Sequence, residues 1–249
     1  MKRTLVLLTV FVSLAMLAAQ NIRTNAQQSA LTIFAITASN NLISFNVSTP
    51  GTIASSVAIS GLALGETIVG IDFRPRNNQL YGISSGSRIY TINTMTGAAT
   101  AVGTAIFTPV LSGAAFGVDF NPAADRIRLV SDMEQNLRMN ADNGSVAMVD
   151  AAIAYATGDA NASANPNLVG MAYTNNFNSA VSTTLFGIDS NLDILVRQGS
   201  VGGAPDSPNN GKLTSIGSLP VFFSVRVRSL VVPAVTRPAS RASGVRDSI

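Results

Sequence analysis

The sequence predicts an all-β fold of the propeller type, with about four blades of up to four antiparallel strands each. One phrase recurs along the chain: residues 69–75 (VGIDFRP) return as 116–122 (FGVDFNP) and more loosely as 169–175 (VGMAYTN), at intervals of 47 and then 53 residues. A short strand-like phrase follows each copy, at 80–83, 127–130 and 185–188. Repeats at this spacing, with strand phrases and no lasting helical stripe, are typical of propeller blades.

Each repeat divides into strands separated by turns. In the best-defined repeat the four strands are predicted at 70–73, 80–83, 88–92 and 98–102. The third of these alternates apolar and polar residues, as a half-buried strand does. The turn before the fourth strand ends in Gly97, whose freedom to adopt a positive φ suits a tight turn.

The first repeat starts late, because the chain reaches the second-strand phrase 33–36 without a preceding first strand. A closed ring would take that strand from the C-terminal part, and residues 221–225 (VFFSV) stand where it is due. Four repeats are few for a propeller, so an incomplete ring is the alternative. Two inserts, 155–166 and 202–211, interrupt the pattern and are predicted to be surface loops.

The N-terminus reads as a signal peptide over residues 1–26. Lys2 and Arg3 precede an apolar run at 4–19, and small residues near position 26 suit cleavage before Gln27. The apolar run is shorter than the roughly 20 residues of a membrane-spanning helix, so no stable membrane anchor is expected. The expected location is therefore periplasmic or extracellular.

Charge and composition divide the rest of the chain in two. Residues 27–225 hold the repeats and are predicted to form the folded domain. From 27 to 223 the chain carries eight basic and twelve acidic residues, so it is mildly acidic and no nucleic-acid partner is expected. Residues 226–249 are rich in Arg, Ser and Pro, and a disordered tail is predicted there.

The chain has no cysteine and no histidine. Disulfides, cysteine nucleophiles, histidine-based triads and zinc sites held by Cys or His are therefore excluded. The common glycine-rich phosphate-binding motifs are absent as well. The sequence predicts no catalytic residue and no cofactor-binding residue.

Asp72 and Asp119 are the candidate site residues, because they occupy matching positions in two successive repeats. If both side chains turn toward the central channel, their carboxylates could hold Ca²⁺, the one cofactor kept open. The other interpretation is structural, with each carboxylate bonded to turn amides or to an arginine. Asp125 and Asp132 flank the strand that carries Arg128, and a local charge network is predicted there.

Four phrases together resemble a bacterial family of exported proteins, the domain-of-unknown-function family 4394. They are GIDFRP (70–75), NQLYGI (78–83), FGVDFNPAADRIRLVS (116–131) and NLRMN (136–140). The resemblance covers about residues 31–219 and is most specific from 116 to 140. It implies propeller-like repeats and export, and it implies no assigned activity, so no catalytic residues transfer.

Two functions fit these features. The first is an exported, non-catalytic binding or scaffold module that uses one propeller face or the two inserts, with an unknown protein or glycan as its ligand. The second is a cation-dependent hydrolase or lactonase of the propeller kind, with oxygen-only metal ligands near Asp72 and Asp119. An unpaired sheet edge at the seam of the ring would also allow edge-mediated oligomers.

Overall fold

The computed structural model describes residues 31–219 and 227–231, which are almost entirely β-strand and turn. The predicted signal peptide, the predicted closing segment 221–225 and residues 232–249 lie outside the described residues. Seventeen strands form four sheets, and two short 3₁₀ turns, Val201–Gly203 and Pro208–Asn210, lie within the last of the inserts. We call the sheets blades 1 to 4 in chain order.

Within each blade the strands are antiparallel neighbours from the inner edge outward. Blade 1 consists of β17 (Val227–Val231), β1 (Thr32–Thr37), β2 (Asn41–Asn46) and β3 (Ile53–Ala58). Blade 2 consists of β4 (Ile68–Phe73), β5 (Leu80–Ser84), β6 (Ile89–Ile92) and β7 (Ala99–Val102). Blade 3 consists of β8 (Phe116–Asn121), β9 (Arg126–Ser131), β10 (Asn136–Met139) and β11 (Val146–Val149). Blade 4 consists of β13 (Leu168–Tyr173), β14 (Leu185–Asp189), β15 (Ile194–Gln198) and β16 (Lys212–Ser218), with the short β12 (Ala154–Tyr155) parallel to β16.

The four blades are arranged like those of a four-bladed propeller, which confirms the fold class predicted from the repeats. The inner strands β17, β4, β8 and β13 pack against one another in that order. Between β13 and β17 the contact is much smaller than at the other three joints. Among the described residues no strand of one blade pairs with a strand of another, apart from an isolated bridge between Ser60 and Ala98. The ring is therefore not closed by hydrogen bonds between strands.

Blade 1 brings the two ends of the described chain together. β17 pairs antiparallel with β1 and places Val231 opposite Phe34. A C-terminal segment therefore supplies the strand that the first repeat lacks, as predicted, but it is 227–231 rather than 221–225. The folded domain thus extends beyond residue 225, its predicted end. Arg228 makes the segment resemble the tail in composition, whereas a sheet ladder depends on backbone N–H and C=O groups.

The turn between the third and fourth strands is the same in blades 2 and 3. Gly97 and Gly144 have φ of 71° and 76°, in the left-handed region that favours glycine. Each glycine donates its N–H, at 2.9 Å, to the carbonyl oxygen of the asparagine that opens the turn, Asn93 or Asn140. Both asparagine side chains accept a backbone N–H of their own turn, which fixes its shape.

The glycines of the recurring phrase are required by the close packing of inner strands. A Cβ on Gly70 would lie 2.5 Å from Cγ2 of Val118 in the next blade. One on Gly117 would lie 2.5 Å from Cγ of Met171 and 2.9 Å from its backbone nitrogen. Contacts this short do not occur between ordinary side chains, so only glycine lets these strands approach.

Both inserts are hydrogen-bonded to neighbouring chain at the outer edge of blade 4. Ala151 donates its N–H to the carbonyl oxygen of Asn209 at 3.1 Å. Asp159 accepts the backbone N–H and the hydroxyl of Ser215 at 2.8 and 2.7 Å. These bonds hold the inserts as fixed surface loops beside β16. Of the helical turns in the described ranges, none is long and apolar enough to span a membrane.

Candidate functional site

The two candidate aspartates lie on neighbouring inner strands. Asp72, on β4, is only 1% exposed. Its Oδ1 accepts the N–H of Phe73 at 2.7 Å, and its Oδ2 accepts the N–H of Phe120, on β8, at 2.7 Å. A bond from an N–H to a charged carboxylate is stronger than a bond between neutral groups. Asp72 therefore ties blade 2 to blade 3.

Asp119 repeats this contact one blade further along the ring. Its Oδ2 accepts the N–H of Tyr173, on β13, at 2.7 Å. Its side chain is also hydrogen-bonded to that of Asp72. Asp72 is buried and Asp119 is half-buried. Two adjacent carboxylates with little water around them repel, which favours a proton shared between them.

Burial raises the pKa of both carboxyl groups. The pKa of Asp72 rises to about 7, because burial disfavours its charge more than the N–H groups of Phe120 and Phe73 favour it. The pKa of Asp119 lies well above its ordinary value, through burial first and the negative charge of Asp72 second. Both Asp72 oxygens accept a backbone N–H, whereas only one Asp119 oxygen does. We therefore expect the shared proton on Asp119, where it can be donated to Asp72.

A metal site would need these carboxylates to face a cation. Three of their four oxygens instead accept a backbone N–H. Within residues 31–219 no group of three or more Asp or Glu side chains comes together, whereas Ca²⁺ takes about six to eight oxygen ligands. This geometry favours the structural interpretation, and the metal role of Asp72 and Asp119 stays a prediction.

The carboxylate link is confined to two of the four joints. Strand register places Ala172 of β13 and Val231 of β17 at the positions of Asp72 and Asp119. Alanine and valine side chains cannot accept a hydrogen bond. Blade 1 is therefore joined to its neighbours without this link, which agrees with the small contact between β13 and β17.

Arg74 forms a second bridge between blades 2 and 3. Its guanidinium makes two bonds to Asp125, at 2.8 and 2.6 Å, and one to Asp142 at 2.6 Å. Its Nη1 also donates to the hydroxyl of Tyr81 at 3.3 Å. The hydrogen bonds from Arg74 lower the pKa of both Asp125 and Asp142. The arginine side chain is 4% exposed, whereas Asp125 and Asp142 are 26% and 59% exposed, so the bridge runs from a buried arginine to two carboxylates nearer the surface.

Arg128 plays a similar part between blades 3 and 4. Its guanidinium donates to Asn136 at 2.7 Å and to Asp150 within its own blade. Across the joint it donates to Asn209 at 2.6 Å and to the hydroxyl of Tyr173 at 3.3 Å. The partners satisfy all three nitrogens of a side chain that is almost fully buried.

The predicted charge network around Arg128 was wrong in its partners. Asp125 pairs with Arg74 and Arg76 of the preceding blade, and Asp132 accepts the N–H of Ala114 at 2.9 Å. Residues that are neighbours in the sequence do not form this network, because the charged side chains pair across the joints between blades. The available signal was an arginine inside the apolar strand phrase IRLV, because a charge in such a phrase needs a buried partner.

A groove of about 460 Å³ opens at one end of blade 2, beside blade 1. Phe73, Leu80 and Ile92 contribute its apolar part, and Asn78 and Met95 come from the two turns at this end. None of the side chains that line it is charged.

The sequence profile of one family matches residues 41–229, and that family is described as a domain of unknown function, DUF4394. The chain belongs to this family. The match confirms the resemblance carried by the repeated phrases. It also includes the first residues of β17, in agreement with a DUF4394 domain that continues past residue 225.

The DUF4394 chain is similar to solved structures of diverse proteins. One is the dihydro-heme d1 dehydrogenase NirN (10% identity, 76% of this chain and 36% of that one, TM-score 0.39). Others are PorZ of the type-IX secretion system of Porphyromonas gingivalis (12%, 76% and 22%, 0.39) and an auxiliary nutrient binding protein from Bacteroides ovatus (10%, 73% and 46%, 0.40). The chain spans less than half of each of these proteins. No curated protein matches it.

Proposed function

We propose that this DUF4394 domain is an exported, non-catalytic binding module that presents a rigid face to a protein partner. The observation that carries the proposal is the use of its buried charges. Asp72, Asp119, Arg74 and Arg128 all bond across blade joints. Acid–base catalysis needs a titratable group within reach of a substrate, whereas these groups are enclosed by their own partners.

The binding face is the end of the propeller that carries the connections between blades. Leu64 and Val110 lie in two of these connections, and Met133 lies in the turn between β9 and β10 at the same end. Their exposed fractions are 105%, 51% and 59%. Gln135 fixes the turn to the connection by donating to the carbonyl oxygen of Val110 at 2.8 Å. Apolar side chains on a rigid scaffold suit a protein interface.

Buried aromatic residues argue for a protein rather than a glycan partner. Sugar-binding sites commonly stack a ring on an exposed aromatic side chain. All four tyrosines are at most 6% exposed, the chain has no tryptophan, and the phenylalanines in the described ranges are buried or half-buried. Aliphatic and methionine side chains adapt instead to a protein surface.

Site-specific photo-crosslinking in the native host tests the proposed face. A photoreactive amino acid replaces Leu64 or Met133, and matched controls replace Val181 or Val201, which are 99% and 69% exposed at the opposite end. We expect one discrete protein adduct from positions 64 and 133 and none from 181 and 201. Adducts from all four positions, or from none, would count against the face, and recovery of glycan adducts would point to the other ligand class.

The cation-dependent enzyme is the second candidate, since Asp72 and Asp119 do meet. Thermal unfolding with Ca²⁺, Mg²⁺ or Mn²⁺ separates the two functions. A native-state site at a hundred times its dissociation constant adds about 2.7 kcal/mol to the free energy of unfolding. A shift that disappears in Asp72→Asn would favour the enzyme, and no shift with any ion would favour the binding module.

A further inference from the structure

The joint between blades 1 and 2 is built like the joint between blades 2 and 3. At the first, Phe34 and Phe73 pack edge to face with ring centroids 5.4 Å apart and an angle of 64°. At the second, Tyr81 and Phe120 pack with centroids 5.2 Å apart and an angle of 72°. The strand registers assign Phe34 to the position of Tyr81, and Phe73 to that of Phe120.

The turns at the two joints correspond as well. A Cβ on Gly97 of blade 2 would meet the carbonyl oxygen of Ala58, in the outer strand of blade 1, at 2.2 Å. One on Gly144 of blade 3 would meet that of Val102, in the outer strand of blade 2, at 2.2 Å. Residues at equivalent positions therefore face equivalent surroundings at both joints.

At the second joint, Arg74 fills a slot between two turns of blade 3. One turn supplies Asp125 and the other supplies Asp142, and Tyr81 borders the slot from Arg74's own blade. Arg74 follows Asp72 by two residues, just past the end of β4. The slot is therefore filled by the residue that continues the inner strand of the preceding blade.

At the first joint each polar partner has a less polar counterpart. The register and the matching turns pair Tyr81 with Phe34, Asp125 with Asn78, and Asp142 with Met95. Asn78 and Asp125 also share a left-handed backbone, with φ of 54° and 51°. Asn78 and Met95 both line the uncharged groove of blade 2. The groove is therefore the counterpart of the Arg74 slot.

We propose that residues 232–235, which follow β17, occupy the groove of blade 2, and that Pro233 takes the place there that Arg74 takes in blade 3. Val231 lies opposite Phe34 as Asp72 lies opposite Tyr81. Pro233 therefore follows Val231 at the same two-residue interval.

Distance and chemistry both fit this occupant. Val231 and Phe34 are paired across a ladder, and Phe34 contacts Phe73, which lines the groove. Two residues in extended form would span about 6–7 Å, which is comparable with the 5.4 Å between the ring centroids of Phe34 and Phe73. Residues 232–235 read Val-Pro-Ala-Val and carry no charge, like the groove itself. The predicted disordered tail then begins after Val235.

Introducing an arginine and an aspartate at the positions equivalent to Arg74 and Asp142 tests whether residue 233 contacts the groove of blade 2. Pro233→Arg and Met95→Asp are made singly and together in the full chain. We expect each single change to lower the melting temperature, and the pair to melt at least about 2–4 °C above the additive expectation, the shift that 1 kcal/mol of coupling gives in a chain of this size. Pro238→Arg with Met95→Asp is the matched control and should be additive. Additivity in the first pair would overturn the proposal.

Crosslinking gives an independent test that does not depend on stability. Because the chain has no cysteine, the double variants Ala234→Cys/Thr96→Cys and Ala234→Cys/Asn143→Cys each contain only two thiols. Thr96 and Asn143 are exposed and occupy the same position of the turn in blades 2 and 3. With a short bis-maleimide at low protein concentration we expect an intramolecular crosslink to position 96 at several times the yield of that to 143. Equal yields would contradict a segment seated in the groove of blade 2.

Discussion

Asp72 and Asp119 contact each other between neighbouring inner strands, and each aspartate accepts a backbone N–H from the next blade. The recurring Asp of the repeat is therefore an interblade bond. Its position at the inner strands also places it where the glycines of the same phrase bring neighbouring backbones together. The repeated sequences GIDF and GVDF thus supply the glycine that lets neighbouring inner strands approach and the aspartate that accepts a hydrogen bond from the next blade.

The two aspartates should differ sharply in their tolerance of asparagine. In Asp119→Asn the amide oxygen can accept the Tyr173 N–H and the NH₂ can donate to Asp72, so the neutral acid is matched. Asp72→Asn has one oxygen for two N–H donors, Phe73 and Phe120. We expect urea denaturation to show a loss within about 1 kcal/mol for Asp119→Asn and about 1–3 kcal/mol for Asp72→Asn. Equal losses would contradict the proton assignment.

The shared proton also predicts a pH dependence. Both folded pKa values lie above the ordinary value of 3.8, so the folded protein retains protons that the unfolded chain releases. The stabilisation is fully present below about pH 4 and is lost as the pH rises through the raised folded pKa values, about 7 for Asp72. Asp125 and Asp142, with lowered pKa values, act in the opposite direction and lose their contribution on acidification. Subtracting the unfolding free energy of Asp119→Asn from that of the wild type isolates the pair. That difference should fall from pH 4 to pH 7, and a flat difference would be inconsistent with a protonated Asp119.

Arg74 and Arg76 both form an ion pair with Asp125, so the effects of removing them can be compared directly. Both contact Asp125, but their side chains are 4% and 63% exposed. Removing Arg74 breaks the buried guanidinium's bonds to Asp125 and Asp142, whereas removing Arg76 breaks one exposed contact. We expect Arg74→Ala to cost about 1.5–3 kcal/mol and Arg76→Ala about 0–1 kcal/mol in urea unfolding. Similar losses for the two variants would show that Arg74 is not the interblade bridge.

Repeats in the sequence were enough to predict the blades, because each blade repeats the same local pattern of strand, turn and glycine. The joints were not predictable in the same way. Arg74 reaches Asp142, which lies 68 positions further along the chain, and no local pattern records such a pairing. The matching positions of Asp72 and Asp119 did indicate a shared role. Whether that role was a metal site or a bond depended on which backbone N–H groups faced them, which only the packing of blades decides.

The closing strand shows where composition misleads. Residues 227–231 share the tail's arginine content, yet they pair with β1 through backbone groups that any residue except proline provides. Position along the repeat predicts an inner strand for blade 1 and places it at 221–225, whereas the strand that pairs with β1 is 227–231. The repeat thus predicts that a closing strand exists, and the pairing with β1 decides its bounds.

Truncation at two points tests this closing strand. A chain ending at Val231 keeps β17 and should unfold as one domain, with at most the small loss expected for an emptied groove. A chain ending at Arg226 lacks β17, so the edge of β1 is unpaired. An unpaired strand edge beside exposed apolar surface promotes association with other chains. We therefore expect the shorter chain to unfold at lower urea concentration and to form dimers or larger species in size-exclusion chromatography. If the two truncated chains have the same stability and the same monomeric mass, β17 does not close blade 1, and the domain ends where composition first placed it.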